Sequence, residues 1–365
     1  MRQTELLRRR HQVRLLAERN QELTPGIRTG IAMAYSSATR QRVERTIAEF
    51  GPDIVHLHNP YPALGPAVQL AVRQLGIPLV MTVHNHRLRC PNGLMFTEGA
   101  ICRRCERGLY TSAVIHRCFP DRKQSTAYAT ALWIHRFVLR LHDTVALFVA
   151  PSRFMHERLI HWGIPRERTR AIVNPVDPLD VVSPPGKFGV YVGRLSSEKG
   201  VDVLLRALAR AGDPPFRVVG DGPLKRAMER LADELGLQQT DFTGRLPGPE
   251  VQRILDRCRY LVMPSISEEV GPLAPLEAMA HGRPIVVSAL GALSELVRDA
   301  AGLAVAPGDV GDLASKIRHL VQDDDLCIDL GHRAWRLCNE GYSTELHLAR
   351  LEEAYGSVLA SQKGQ

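Results

Sequence analysis

Glu269 and Glu277 stand eight residues apart, separated by Val270-Gly271-Pro272-Leu273-Ala274-Pro275-Leu276. The apolar run Tyr260–Met263 before them reads as a buried strand. Pro272 suits the first turn of a short helix, Gly282 its stop, and Pro284 bars continuation. A helix mouth presents unpaired N–H groups and the positive end of a dipole, a ready anion site. Pro272 and Pro275 carry no N–H, so the donors there are Val270, Gly271, Leu273 and Ala274. Taken alone, Glu277 also reads as a solvated residue near a favourable dipole end, worth about 0.3–1 kcal/mol.

A second cluster, Gly193-Arg194-Leu195-Ser196-Ser197-Glu198-Lys199-Gly200, joins the strand 188–192 to the helix Val201–Arg210. An Arg and a Lys five residues apart on a strand-to-helix loop suit a diphosphate, Arg as a bidentate fork and Lys as a point charge. The bland alternative is a solvated loop. Gly220-Asp221-Gly222-Pro223 marks only a turn and carries no dinucleotide fingerprint.

In the first half, His56, His58, His84 and His86 fall where two strands reach their carboxyl ends. Open α/β sheets bind ligands on that side, although a single histidine there is more often structural than catalytic. Cys90, Cys102, Cys105 and Cys118 follow in the pattern Cys-x11-Cys-x2-Cys-x12-Cys, with a Cys-x-x-Cys knuckle of the kind that chelates Zn²⁺. The first pair is too widely spaced for a standard finger. Structural zinc, reduced thiols and a disulfide pair therefore all stand as readings, and His84, His86 or His116 could replace one cysteine.

The elements that position these groups alternate strand and helix along the chain, which argues for parallel sheets covered by helices, an α/β fold. The pattern predicts a short helix over 4–10, a strand over 13–17 and a helix over 42–50. It also predicts a long helix over 126–141, whose Trp133 and Phe137 at i,i+4 spacing read as core. Residues 1–180 form a first domain with a cysteine-rich insertion at 86–118. A proline-rich linker covers 181–187 and a second domain 188–342, and a terminal helix at 343–365 crosses back to the first.

Glu269-x7-Glu277 followed by Ala278-Met279-Ala280-x-Gly282-x-Pro284 resembles the nucleotide-sugar site of glycosyltransferase family 4, retaining enzymes of the GT-B fold with two facing Rossmann-like domains. Gly193-Arg194 with Lys199-Gly200 resembles the family's diphosphate-binding pair. Thr82-Val83-His84 resembles the segment that places a histidine beside donor sugar and acceptor, and 241–246 the loop that meets the base. Ser152-Arg153-Phe154 and Asn174-Pro175-Val176-Asp177 look like the closing stations of the first domain. The resemblance implies metal-independent sugar transfer from a nucleotide-diphospho-sugar to a saccharide or lipid-linked acceptor, with no cofactor for catalysis. Arg194 and Lys199 would stabilise the departing diphosphate. Glu269 with the amides of Val270, Gly271 and Leu273 would grip the sugar, and Glu277 the ribose. Gly193, Arg245 and Leu246 would complete the donor site, and His84 would join it on domain closure. Val270-Gly271-Pro272 departs from the commoner Phe-Gly, which bears on the identity of the sugar.

The 365 residues carry a net charge of +8, unevenly divided. Residues 1–187 hold 27 Lys and Arg against 14 Asp and Glu, net +13, whereas residues 188–365 hold 20 against 25, net −5. The basic half suits an anionic membrane surface or a phosphate-bearing acceptor, and arginine-rich background composition accounts for it equally well. Without aromatic interleaving or a recognised module, nucleic acid is not expected. Seven cysteines and no apolar leader fit a reducing cytoplasm, with peripheral membrane contact as a further expectation. A nucleotide-sugar epimerase, an inactive relative and a zinc-containing nucleic-acid binder are the competing readings. The resembling family has a strand and a glycine-rich loop ahead of the first helix seen here, so either an upstream extension or a weakly active, unstable product is also expected.

Overall fold

The computed structural model describes residues 2–18, 36–61, 63–180, 182–298 and 301–363. The expected linker residue Val181 lies outside them. The chain divides into two compact units, one built from residues 1–98, 102–172 and 348–365, the other from 99–101 and 173–347. Among the described residues no helix is long and apolar enough to cross a membrane.

In the first unit the elements run α1 (Arg2–Leu7), α2 (Ser37–Phe50), β1 (Val55–His58), α3 (Ala67–Leu75) and β2 (Leu79–Thr82). Next in the chain come the two-residue strands β3 (Phe96–Thr97) and β4 (Ala100–Ile101), the latter grouped with the second unit, then α4 (Thr111–Ile115), α5 (Arg122–Trp133), β5 (Leu147–Ala150), α6 (Arg153–His161) and β6 (Thr169–Ala171). The main sheet is wholly parallel in the order β1-β2-β5-β6. Leu6 and Leu7 of α1 pack with Val80, Leu147 and Val149 of the sheet, and Leu348, Leu351, Ala354 and Val358 of the terminal helix join the same cluster.

Two expectations fail here. Residues 13–17 form no strand: Leu15 is half exposed, Arg14 pairs with Glu49 at 3.7 Å, and no ladder partner lies beside them among the described residues. Short apolar runs become strands only when a neighbour accepts their backbone hydrogen bonds. Trp133 and Phe137 are not core but 48 % and 47 % exposed. Helix α5 instead buries Ser125, Tyr128, Ala129, Ala131 and Leu132, and then widens into a π turn over Ile134–Val138.

The second unit contains β7 (Gly189–Val192), α7 (Val201–Arg210), β8 (Phe216–Val219), α8 (Lys225–Glu234), β9 (Thr240–Gly244), α9 (Gly248–Arg257), β10 (Tyr260–Met263), α10 (Leu273–Ala280) and β11 (Ile285–Ser288). It continues with α11 (Leu293–Leu296), β12 (Gly302–Val305), α12 (Val310–Gln322), α13 (Asp324–Gly341) and the start of α14 (Thr344–Lys363). Its six strands are all parallel, ordered β12-β11-β10-β7-β8-β9. Alternate residues of β10 feed opposite layers, Tyr260 and Val262 into one core and Leu261 and Met263 into the other. This is why the strand reads as an unbroken apolar run. Pro272 stands just before α10 as its N-cap, and Pro275 lies inside its first turn.

Candidate active site

The strand order of the second unit reverses between β7 and β10, and ligands of open parallel sheets bind beyond the carboxyl ends of strands at such a switch point. Both motifs singled out in the sequence leave the sheet there, Gly193–Gly200 after β7 and Pro264–Gly271 after β10. The two loops are joined. Ile266 N–H donates to the Glu198 carbonyl at 3.0 Å. Gly200 has φ +64°, and a Cβ on it would overlap the Pro264 carbonyl, so only glycine permits this approach. Lys199 Nζ donates to Glu269 Oε1 at 2.6 Å, with side chains 21 % and 14 % exposed.

Glu269 Oε1 also accepts from the buried Ser265 Oγ at 2.7 Å, and the Glu269 carbonyl accepts from Ala292 N–H at 2.9 Å. Two side chains therefore hold this carboxylate, and the Ala292 bond fixes its backbone. No side chain among the described residues bonds its Oε2, which leaves an acceptor for a ligand hydroxyl. Arg194 is exposed and its guanidinium has no hydrogen bond among the described residues. Its carbonyl is held by the Tyr191 hydroxyl at 2.8 Å. Burial, with Glu269 and Glu198 nearby, pushes the Tyr191 phenol above its usual range, so it stays a donor.

Gly271 is clamped from a distance: Asn174 Nδ2 donates to its carbonyl at 3.0 Å, presetting the loop that enters α10. Glu277 lies half-buried in α10, and Leu273 is half exposed at the helix start, beside the free end of the dipole. Val270 is buried. Gly193 follows β7, with its N–H bonded to the Val219 carbonyl at 3.0 Å. At the end of β9, Gly244 accepts from Gly220 N–H at 2.9 Å, Arg245 is exposed, and Leu246 packs on the core. Ser265, Tyr191 and Asn174 are positioning residues that sequence reasoning does not single out. Asn174 alone belongs to a recognisable motif, Asn174-Pro175-Val176-Asp177, where it reads as part of a domain boundary.

In the first unit, His58 and Thr82 are register partners on β1 and β2, which puts His58 and His84 side by side at the sheet's carboxyl end. His58 Nδ1 and His84 Nε2 share a hydrogen bond of 2.8 Å, with rings stacked at 5.1 Å. His56 is occupied structurally, meeting the Tyr355 hydroxyl at 2.6 Å and Thr82 Oγ1 at 2.7 Å. Burial holds His84 below its ordinary value of 6.5. A neutral imidazole in this pair accepts or donates; protonating both rings would oppose two N–H groups.

Because burial favours neutral His84, its contribution to stability is present above the ordinary value and is lost as pH falls through the lower folded value. An NMR titration of the His84 ring is expected to show a midpoint below 6.5. A midpoint at or above that value would overturn the assignment of His84 as a neutral group.

Cys90, Cys102, Cys105 and Cys118 line one small cavity. Burial, with the other three thiols close by, pushes Cys105 up to about 12.

Comparison with known proteins agrees with this geometry. Residues 4–178 match the family model described as Glycosyltransferase Family 4, and residues 183–336 that of Glycosyl transferases group 1. The chain belongs to the family 4 glycosyltransferases. Relatives include the sulfoquinovosyl transferase SQD2 of Arabidopsis thaliana, 26 % identical over 88 % of this chain and 62 % of that protein. The alpha-D-kanosaminyltransferase of Streptomyces kanamyceticus is 31 % identical over 70 % of this chain and 64 % of its own length. The chain thus spans less than two thirds of these relatives. Among solved structures, sucrose-phosphate synthase from Thermosynechococcus elongatus superposes with a TM-score of 0.66 at 20 % identity, covering 88 % of this chain and 77 % of that one. Anabaena HepE in complex with UDP-glucose gives 0.66 at 20 % identity, with 87 % and 82 % covered. The fold of this family 4 member is GT-B, an α/β fold with a parallel sheet in each unit.

Proposed function

We propose that the chain transfers a sugar from a nucleotide-diphospho-sugar to a saccharide or lipid-linked acceptor with retention of configuration. The observation that carries this reading is the Lys199–Glu269 bond, which joins a phosphate-type cation to a sugar-type carboxylate at the switch point of the second sheet. HepE, of the same fold, was solved with UDP-glucose.

In this mechanism Lys199 and Arg194 meet the diphosphate and stabilise its negative charge as the glycosidic bond breaks, an effect largest where charge develops. Glu269 directs Oε2 at a sugar hydroxyl while Lys199 and Ser265 hold Oε1. The N–H groups around Val270, Gly271 and Leu273 face the donor at the helix mouth, and Glu277 takes the ribose hydroxyls. Gly193, Arg245 and Leu246 border the nucleotide. The His84–His58 pair is assigned to the sugar or the acceptor hydroxyl. No metal or other cofactor enters the transfer step.

The first unit supports a lipid-linked acceptor on an anionic surface. Leu109, Ile115 and Val138 are 65 %, 67 % and 60 % exposed, alongside the half-exposed Trp133 and Phe137. Residues 103–140 carry eight Arg and Lys against two acids. Apolar rings among cations suit anionic headgroups.

The test is a panel of nucleotide sugars read by thermal shift, followed by turnover with soluble saccharides and with lipid-linked acceptors in anionic vesicles. A cognate donor at a hundredfold excess over its Kd should add about 2.7 kcal/mol of stability. Free nucleotide diphosphate should then appear only when an acceptor is present. A sugar isomerised while still attached to its nucleotide would instead identify an epimerase and overturn the reading.

A further inference from the structure

We propose that Cys90, Cys102, Cys105 and Cys118 bind one zinc ion as a tetrathiolate, and that this structural site pins the loop after His84 to helix α6. The inference stands apart from the transfer reaction and does not depend on it.

The four thiols are spread over 29 residues of an irregular segment, yet all line one cavity of about 10 Å³, room for a single small occupant. Cys90 and Cys105 are buried, and Cys102 and Cys118 are half-buried. The segment has little else to hold it. Its only strands are the two-residue β3 and β4, and a small aromatic and alanine cluster contains Cys105 itself, with Cys118 against it. Loops with so little apolar content are typically stabilised by a cross-link or a metal.

Cations lie close to the thiols: Arg104 Nη1 is 3.8 Å from Cys102 Sγ. Arg89 also lines the cavity. Four thiolates around Zn²⁺ leave a net charge of −2, which two guanidiniums offset. The balance of the step is plain: four S–H groups release four protons as four S–Zn bonds form, with no change of oxidation state. An all-sulfur, tetrahedral donor set selects zinc over the hard cations.

Among the described residues, no group of three or more His, Cys, Asp or Glu stands ready to hold a metal as the side chains are now turned. The thiols are engaged as neutral donors, Cys90 Sγ to Asn92 Oδ1 at 2.9 Å and Cys118 Sγ to Thr97 Oγ1 at 3.9 Å. Deprotonation removes these donors and lets the side chains rotate into the cavity they already line. Histidine does not complete the set: none lines the cavity, His116 Nδ1 meets Glu98 at 3.1 Å, and His84 pairs with His58.

The link to α6 runs through neighbours of the cysteines. Glu106, next to Cys105, accepts from Arg158 Nη1 and Trp162 Nε1, both at 3.2 Å. Cys90 N–H donates to the His86 carbonyl at 2.9 Å, and His86 N–H to the Gly93 carbonyl at 3.1 Å. A metal joining Cys90 to Cys105 would therefore tie the segment 84–93 to Arg158 and Trp162.

The experiment uses the full chain, purified with reductant and without chelator. Elemental analysis should find about one zinc per chain. Exchange into Co²⁺ should give the intense visible bands and the near-ultraviolet thiolate charge transfer of a tetrahedral sulfur site. The other three cysteines, Cys258, Cys327 and Cys338, are buried in the second unit. Rapid thiol titration of the native chain should therefore find almost none, and about four once a strong chelator removes the metal. Cys102→Ser should lose the metal, whereas Cys327→Ser should keep it. Four freely reacting thiols without metal, or a disulfide between any of the four under reducing purification, would overturn the proposal. Because the thiol count is made on the unaltered chain, misfolding of a variant has no bearing on that outcome.

Discussion

Lys199→Ala is expected to lower sugar transfer by about two to three orders of magnitude, the usual loss when one preorganised group facing developing charge is removed. Structural damage is the competing explanation, because the same change leaves the Glu269 carboxylate bonded through Ser265 alone. A charged hydrogen bond of this kind is worth about 1.5–3 kcal/mol. That cost falls on folding, whereas the expected kinetic loss corresponds to about 2.7–4 kcal/mol of transition-state stabilisation. The two are separable by Glu269→Gln, which keeps the shape and an oxygen acceptor for Lys199 and Ser265 but removes the charge. If Lys199 acts on the diphosphate, Lys199→Ala weakens binding of the bare nucleoside diphosphate. Glu269→Gln should leave that binding nearly intact and weaken binding of the sugar-bearing donor. Equal stability loss in both variants, with unchanged turnover per folded molecule, would reduce the pair to a structural tie.

The half of this candidate site that lies on the second unit was legible in the sequence because its signals are local. Gly200 must adopt a positive φ against another loop, Pro272 and Gly282 punctuate a helix, and Arg194 and Lys199 sit at fixed offsets on one loop. The topology then places the two loops beside each other. Local pattern did not reveal the anchors. Asn174 reaches Gly271 across 97 residues, and Ser265 is an ordinary serine until Glu269 is seen to lie against it. Trp133 and Phe137 fail for a related reason. Helical spacing identifies which residues share a face, but only the neighbouring elements determine whether that face is covered. Residues 13–17 show the same dependence for strands, since apolar character supplies no ladder partner.

Arg283→Met is expected to produce the largest stability loss of any single substitution in the second unit. In the sequence this residue occupies a variable slot between Gly282 and Pro284, where nothing marks it. In the structure it has the largest of the fully buried side chains. Its guanidinium donates to the carbonyls of Leu255 at 3.1 Å, Pro184 at 3.0 Å and Asp256 at 2.5 Å. Two of these carbonyls belong to the last turn of α9, which has no helical partners for them, so Arg283 caps that helix and faces the negative end of its dipole. Methionine fills much of the volume yet removes the guanidinium from the Pro184 and Asp256 carbonyls and leaves the Leu255 carbonyl only the Cys258 thiol at 3.3 Å. Breaking a buried charged network costs about 3–5 kcal/mol. For a unit of this size that is a fall of roughly 6–20 °C in its thermal midpoint. Arg283→Lys keeps the charge but not the planar fork, and should recover only part of the loss. The loss should appear in the unfolding transition of the second unit, while the affinity of still-folded protein for nucleotide changes little, because Arg283 stands behind α10 and not at its mouth. A midpoint within 1–2 °C of the parent, a shift too small for even 1 kcal/mol in a unit this large, would show that water satisfies these carbonyls as well as the guanidinium does.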